Sequence, residues 1–98
     1  MLFLATYDIE SNSLRTKLAE RLLKMGLERV QYSVYIGPLT AAKRASLLKT
    51  VDKMFGEQEN VNFLLMLLEQ NALQTDAHVG TAPPDWDYLK GKINTLII

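Results

Sequence analysis

Hydrophobic and polar positions along this chain follow two periods, and each change of period marks an element. Leu2-Phe3-Leu4-Ala5-Thr6-Tyr7 is an apolar run that ends at Asp8, which predicts a strand buried on both faces. Ser11, Asn12 and Ser13 are small polar residues suited to capping a helix. Leu14, Leu18, Leu22 and Met25 then recur at one-face helical spacing, with Arg15, Lys17, Glu20, Arg21 and Lys24 on the remaining surface. Gly26 suits the left-handed residue that ends such a helix. From Arg29 the period becomes two. Val30, Tyr32, Val34 and Ile36 fall on one side, and Arg29, Gln31, Ser33 and Tyr35 on the other, until Gly37-Pro38 stops the run. This stretch reads either as one bent strand or as two short ones with an irregularity between Gln31 and Ser33.

Thr40 is placed to cap a second helix over 41–55, whose buried stripe is Leu47, Leu48, Val51, Met54 and Phe55, with Gly56 closing it. Residues 61–68 form the next strand, apolar on both sides. Residues 69–92 are polar, with Pro83-Pro84 and a short turn at 85–89, and residues 92–98 predict a last strand. The order β-α-β-β-α-β plus a terminal strand is that of an α+β, ferredoxin-like domain, an antiparallel sheet with both helices on one face. The helices leave the other, equally apolar face uncovered. A symmetric homodimer is the expected cover, and the terminal strand is a candidate for pairing across it.

Composition narrows the class. The 98 residues make one domain, which buries about two-thirds of the surface its unfolded chain exposes. With 22% charged residues and no low-complexity tract the chain is not disordered, and its longest uncharged apolar run, 63–68, is too short for a bilayer. The start shows no basic region or cleavage-like site, which predicts no signal peptide, no membrane association and a cytoplasmic location. Without cysteine there is no disulfide, thiolate metal site or thiol nucleophile. The formal charge of zero conceals an asymmetry: residues 1–53 carry nine Lys and Arg against five Asp and Glu, and residues 54–98 carry two against six. That distribution suits either an ordinary solvated surface or one basic face for a polyanion.

Few residues carry recognisable chemistry. The glycines are isolated, so no phosphate-cradling loop is present, and a Ser-His-Asp triad would have to use His78, the only histidine, which stands in a polar loop and reads as a surface residue. Asp8 sits where the first strand ends, a position from which side chains project off a rigid scaffold. One carboxylate is too few for Mg²⁺, but a two-fold axis near the strand end would bring two copies of Asp8 together around a divalent cation. Arg15, Lys17, Arg21 and Lys24 follow on the first helix, and Arg29 and Tyr35 share a face of the next strand region. Guanidinium groups grip phosphates bidentately, whereas Glu20 and Lys24 form an ordinary i,i+4 surface pair. For Arg15 and Arg29, spacing alone leaves phosphate binding and simple solvation both open.

The opening Leu2-Phe3-Leu4-Ala5-Thr6-Tyr7-Asp8-Ile9, with its Tyr-Asp-Ile signature, and the segment Gly26-Leu27-Glu28-Arg29-Val30-Gln31-Tyr32-Ser33-Val34-Tyr35-Ile36-Gly37 resemble the two signatures of the Cas-two family, small CRISPR-associated proteins of the spacer-acquisition machinery. The resemblance is close over residues 1–40. It implies a ferredoxin-like homodimer and a metal-dependent endonuclease (Mg²⁺ or Mn²⁺) cutting single-stranded RNA or double-stranded DNA. By it, Asp8 is the metal-binding catalytic acid with Tyr7 beside it. Arg15, Lys17, Arg29 and Tyr35 occupy its nucleic-acid-binding positions, Lys17 replacing an arginine found in some members. The family also has a non-catalytic role as a DNA-binding adaptor that bridges dimers of the CRISPR integrase. A toxin-like ribonuclease of the VapD type, sharing the fold, and an unrelated ferredoxin-like regulatory domain are the remaining alternatives.

Overall fold

A computed structural model describes residues 1–69, 71, 72, 77 and 79–89. Its elements are β1 (Leu2–Ile9), α1 (Asn12–Lys24), β2 (Glu28–Gln31), β3 (Val34–Pro38), α2 (Ala41–Phe55) and β4 (Val61–Leu68). The expected last strand at 92–98 lies outside the described residues, as does His78. The four strands form one sheet in the order β2-β3-β1-β4, and every neighbouring pair is antiparallel. This is the split β-α-β arrangement, in which β1 occupies the slot between β3 and β4.

Each helix begins where a hydroxyl can accept an orphan backbone N–H. The Ser11 Oγ accepts from Leu14 N–H at 3.3 Å, and the Thr40 Oγ1 accepts from Lys43 N–H at 3.1 Å. After α1 the chain turns through Gly26 at φ 93°, a conformation in which a Cβ would be strained. Leu14, Leu18 and Leu22 of α1 and Leu47 and Val51 of α2 are buried against Phe3, Ala5, Ile9 and Tyr35 of the sheet. The odd-numbered residues of β1 therefore face the helices. Its even-numbered residues, Leu2, Leu4, Thr6 and Asp8, face away from them.

The run from Arg29 resolves into two strands joined at Tyr32 and Ser33, with a register shift between Arg29 and Gln31. The simple alternation fails there: Tyr32 leaves the strand face and is 73% exposed. Ser33 takes a positive φ of 66°, a turn geometry normally given to glycine or asparagine.

The helix-free face is not left wholly to a partner. A helical turn at 86–89 crosses it, and Leu89 is fully buried in a second cluster with Leu2 and Ile36, flanked by Leu4, Val30 and Trp86. The Tyr88 hydroxyl donates to the Gly26 carbonyl at 3.4 Å. The expectation that a second copy alone covers this face is thus corrected at the Leu2 end, where the chain covers itself. Farther along, Leu64 and Met66 of β4 stay 52% and 43% exposed.

Gly37 closes the second signature for a steric reason. A Cβ there would lie 2.7 Å from the Leu27 Cα and 3.2 Å from the Gly26 carbonyl oxygen, both backbone atoms. Gly37→Ala is therefore expected to lose about 1–3 kcal/mol of stability through overpacking, read as a lower denaturant midpoint with an unchanged slope.

Candidate nucleic-acid interface

Tyr7 and Asp8 are consecutive residues of an extended strand, so they emerge on opposite faces of the sheet. The cleft that gathers the other candidates is on the helix side. It lies between α1 and the β2–β3 turn, has a volume of about 350 Å³, and is lined by Tyr7, Arg15, Arg29 and Tyr35 together with Tyr32 and Ser33. Asp8 does not line it. The expectation that Asp8 shares a cleft with the arginines is corrected by the pleat of β1: the exposed carboxylate belongs to the helix-free face, opposite Asn62 of β4.

Each basic residue is held differently. The Arg15 Nη1 donates to the Ile9 carbonyl at 2.9 Å, which ties the start of α1 to the end of β1 and uses one of the five N–H donors of the guanidinium. Arg29 lies across the ladder from Tyr35, and its guanidinium sits 5.5 Å from the centre of the Tyr32 ring, a cation–π distance. Lys17 is not with them. It projects from the other flank of α1 into a groove shared with Leu14, Met54 and Gln58.

Tyr7 and Tyr35 pack ring on ring at 6.1 Å between centroids with 27° between planes, beneath the cleft. Burial, with the hydroxyl contact to Tyr7 adding to it, pushes the Tyr35 hydroxyl up to about 12 from its ordinary 10.0. Tyr35 is therefore a neutral structural phenol at physiological pH. The turn is tied to the same place, since Tyr7 N–H donates to the Ser33 carbonyl at 3.2 Å. Asn12, Thr16, Tyr32 and Ser33 are cleft residues that the sequence reading passed over. The irregularity at Gln31 to Ser33 was the signal for the last two.

Asp8 and Asn62 offer hard oxygen donors of the kind Mg²⁺ takes, but they make half a site. Among the described residues no three His, Cys, Asp or Glu side chains converge. The donor chemistry fits the cation only if a second copy supplies the other carboxylate. No described helix is long and apolar enough to cross a membrane.

A small antiparallel α+β sandwich with a basic, tyrosine-walled cleft beside its central strand defines the class: a ferredoxin-like domain. The chain belongs to the family described as CRISPR associated protein Cas2, whose model matches residues 1–75. It is 30% identical over 84 residues to a CRISPR-associated endoribonuclease Cas2 of Pyrobaculum aerophilum, covering 86% of this chain and 91% of that one. A Cas1/Cas2 endonuclease fusion of Thermoproteus tenax is 27% identical over 84 residues, covering 86% of this chain and 31% of that longer one. Among solved structures, Streptococcus pyogenes Cas2 superposes with a TM-score of 0.72 at 21% identity, covering 82% of this chain and all of the other. At that identity the likeness speaks for the fold.

The raised Tyr35 sets a pH dependence. A phenol whose folded value lies above its unfolded one contributes stability that is complete below pH 10 and lost as pH rises toward about 12. Wild type should therefore lose melting temperature across that window more steeply than Tyr35→Phe. Parallel curves for the two proteins would remove the assignment.

Proposed function

We propose that this protein is a divalent-metal-dependent endonuclease of nucleic acid that works as a homodimer, with one Asp8 carboxylate from each copy. The observation that carries the reading is the place of Asp8: exposed at the end of the central strand, on the helix-free face, beside an apolar strip that the described residues leave uncovered. Leu64 lies across from Thr6 and Met66 across from Leu4, so the strip runs directly up to Asp8 and Asn62. A self-complementary apolar strip next to a half-complete ligand set suits a second copy, because a two-fold axis buries the first and completes the second. Relatives named as endoribonucleases support the activity.

When bound, Mg²⁺ or Mn²⁺ would polarise a phosphodiester and lower the pKa of water. The chain's own residues do the rest. The Asp8 carboxylates would hold the ion, and Asn62 offers an amide beside each. Arg15 and Arg29 hold the adjoining phosphates from the helix side of the same strand end, Arg15 fixed by its bond to the Ile9 carbonyl. Tyr7 serves here by packing under the cleft rather than by reaching the ion, since it points away from Asp8.

A second reading, an adaptor that joins duplex DNA to a Cas1-type integrase, is favoured by two observations. One relative is a Cas1/Cas2 fusion. In addition, α1 and α2 carry four each of the eleven Lys and Arg residues, which makes the helix layer a basic surface.

Asp8→Asn separates the two readings. Under the first, cleavage of RNA or duplex DNA with Mg²⁺ or Mn²⁺ falls by more than about 100-fold, beyond what loss of an outer-shell metal partner gives. Equal cutting by both proteins would remove the catalytic claim, and integration that survives the substitution would favour the adaptor. The dimer has its own test. Leu64→Glu, an exposed substitution, is expected to leave the monomer folded while sedimentation shows the dimer lost. A wild type that stays monomeric in the presence of Mg²⁺ or Mn²⁺ would overturn the shared site.

A further inference from the structure

Tyr32 is an aromatic cleft residue that the proposed chemistry does not use. It stands at the β2–β3 turn with its ring in solvent, where one cation contacts the ring and the turn backbone beside it is held. The guanidinium of Arg29 lies over it at 5.5 Å. The next residue, Ser33, is held at a φ of 66°, and its carbonyl is tied to Tyr7 N–H. A serine kept in a conformation suited to glycine is a local cost, and such costs gather where a side chain must be aimed. Tyr32 is also a shared wall. On one side is the cleft of about 350 Å³ with Arg15, Tyr7 and Tyr35. On the other is a second cleft of about 440 Å³, lined by Arg29, Tyr32, Thr81, Ala82 and Pro83 among others.

We propose that Tyr32 is a stacking platform for an unpaired base, so that the turn between β2 and β3 holds single-stranded nucleic acid, with the base on the Tyr32 ring and the adjoining phosphates on Arg29 and Arg15. The inference rests on the reading that the cleft's ligand is a nucleic acid and adds the residue and turn that would hold an unpaired base of it. The volumes are those of ligand pockets that take a nucleotide-sized group. Two guanidinium groups against one carboxylate, Glu20, leave the first cleft net positive, as a phosphate requires. A base inside a duplex has both faces occupied by its neighbours, so away from a duplex end only an unpaired base can lie on the ring. An aromatic platform with flanking cations is also how single strands are held without reading sequence. Because Tyr32 separates two clefts, a strand that stacks there continues past it on both sides, so an oligonucleotide suits the site better than a lone nucleotide.

The test uses oligonucleotides carrying one 2-aminopurine, as single-stranded RNA, single-stranded DNA and duplex DNA, in EDTA so that hydrolysis plays no part. Wild type should bind the single strands with quenching of the fluorescent base, as stacking on the ring requires. Tyr32→Ala should lose the quenching and bind single strands about tenfold more weakly, while duplex binding is unchanged. Tyr32→Phe, which keeps the ring, should restore both. Equal single-strand binding by wild type and Tyr32→Ala, or an equal loss on single strand and duplex, would overturn the platform while leaving phosphate binding intact. A wild type that binds none of the three oligonucleotides would overturn the nucleic-acid reading together with the platform. RNA against DNA in the single-stranded arms tells which backbone the site prefers.

Discussion

β1 is paired along its length on both sides, Leu2 to Thr6 against β3 and Leu2 to Ile9 against β4, and that double ladder fixes the direction of every side chain it carries. A one-residue slip would turn Phe3, Ala5 and Ile9 out of the core, so the register is held by the whole helix-side packing. The chemistry at its end follows from this. Asp8 is placed by the backbone rather than by contacts of its own carboxylate. The residues on either side of it are pinned, Tyr7 through its N–H to Ser33 and Ile9 through its carbonyl to Arg15. The Asp8 Cα is thereby fixed at the strand end while the carboxylate stays solvent-accessible.

The same pleat divides the work between faces. Cations and tyrosines gather on the helix side, and the carboxylate stands on the other with the apolar strip. A nucleic acid held by Arg15 and Arg29 would therefore reach Asp8 only by passing round the strand end, where β1 gives way to α1 and where Ser33 is tied across to Tyr7. A polyanion on the basic cleft would make its main contacts away from a negatively charged site that repels it. The basic cleft and the carboxylate do not share a wall, so either of the two proposed roles could be lost without the other.

Much of this was legible in the sequence, for reasons that differ by element. Both helices could be read because Leu14, Leu18 and Leu22, and Leu47 and Val51, repeat at helical spacing between a hydroxyl cap and a glycine. β4 was legible as a continuous apolar run. The side of the sheet on which Asp8 sits was implicit in the period of two, but proximity in sequence to Tyr7 and Arg15 suggested a single cleft that the pleat forbids. Tyr32 was misplaced because alternation was extended through a turn, and Ser33, a β-permissive residue, hid a conformation that a glycine would have announced. The cover at 86–89 could not be foreseen, since Trp86 and Leu89 stand alone among polar residues and have no period to read.

That cover bears on how two copies meet. With Leu2 and Ile36 already under Leu89, the contact in the proposed pair is confined to the Asp8 end, so its apolar area is small and its charges are close. Two carboxylates about 5 Å apart at an effective dielectric of about 20 repel by about 3 kcal/mol. Removing Leu64 and Met66 of both copies from water, each about half exposed, returns about 1 kcal/mol per side chain, a gain of similar size. The two effects nearly cancel, and association also carries its own entropic cost. A divalent cation between the carboxylates would convert that repulsion into attraction, so in the proposed pair metal binding and pairing of the chains would be one linked equilibrium. The ion would then be part of what holds the two copies together, and the shared site would exist only while both were paired.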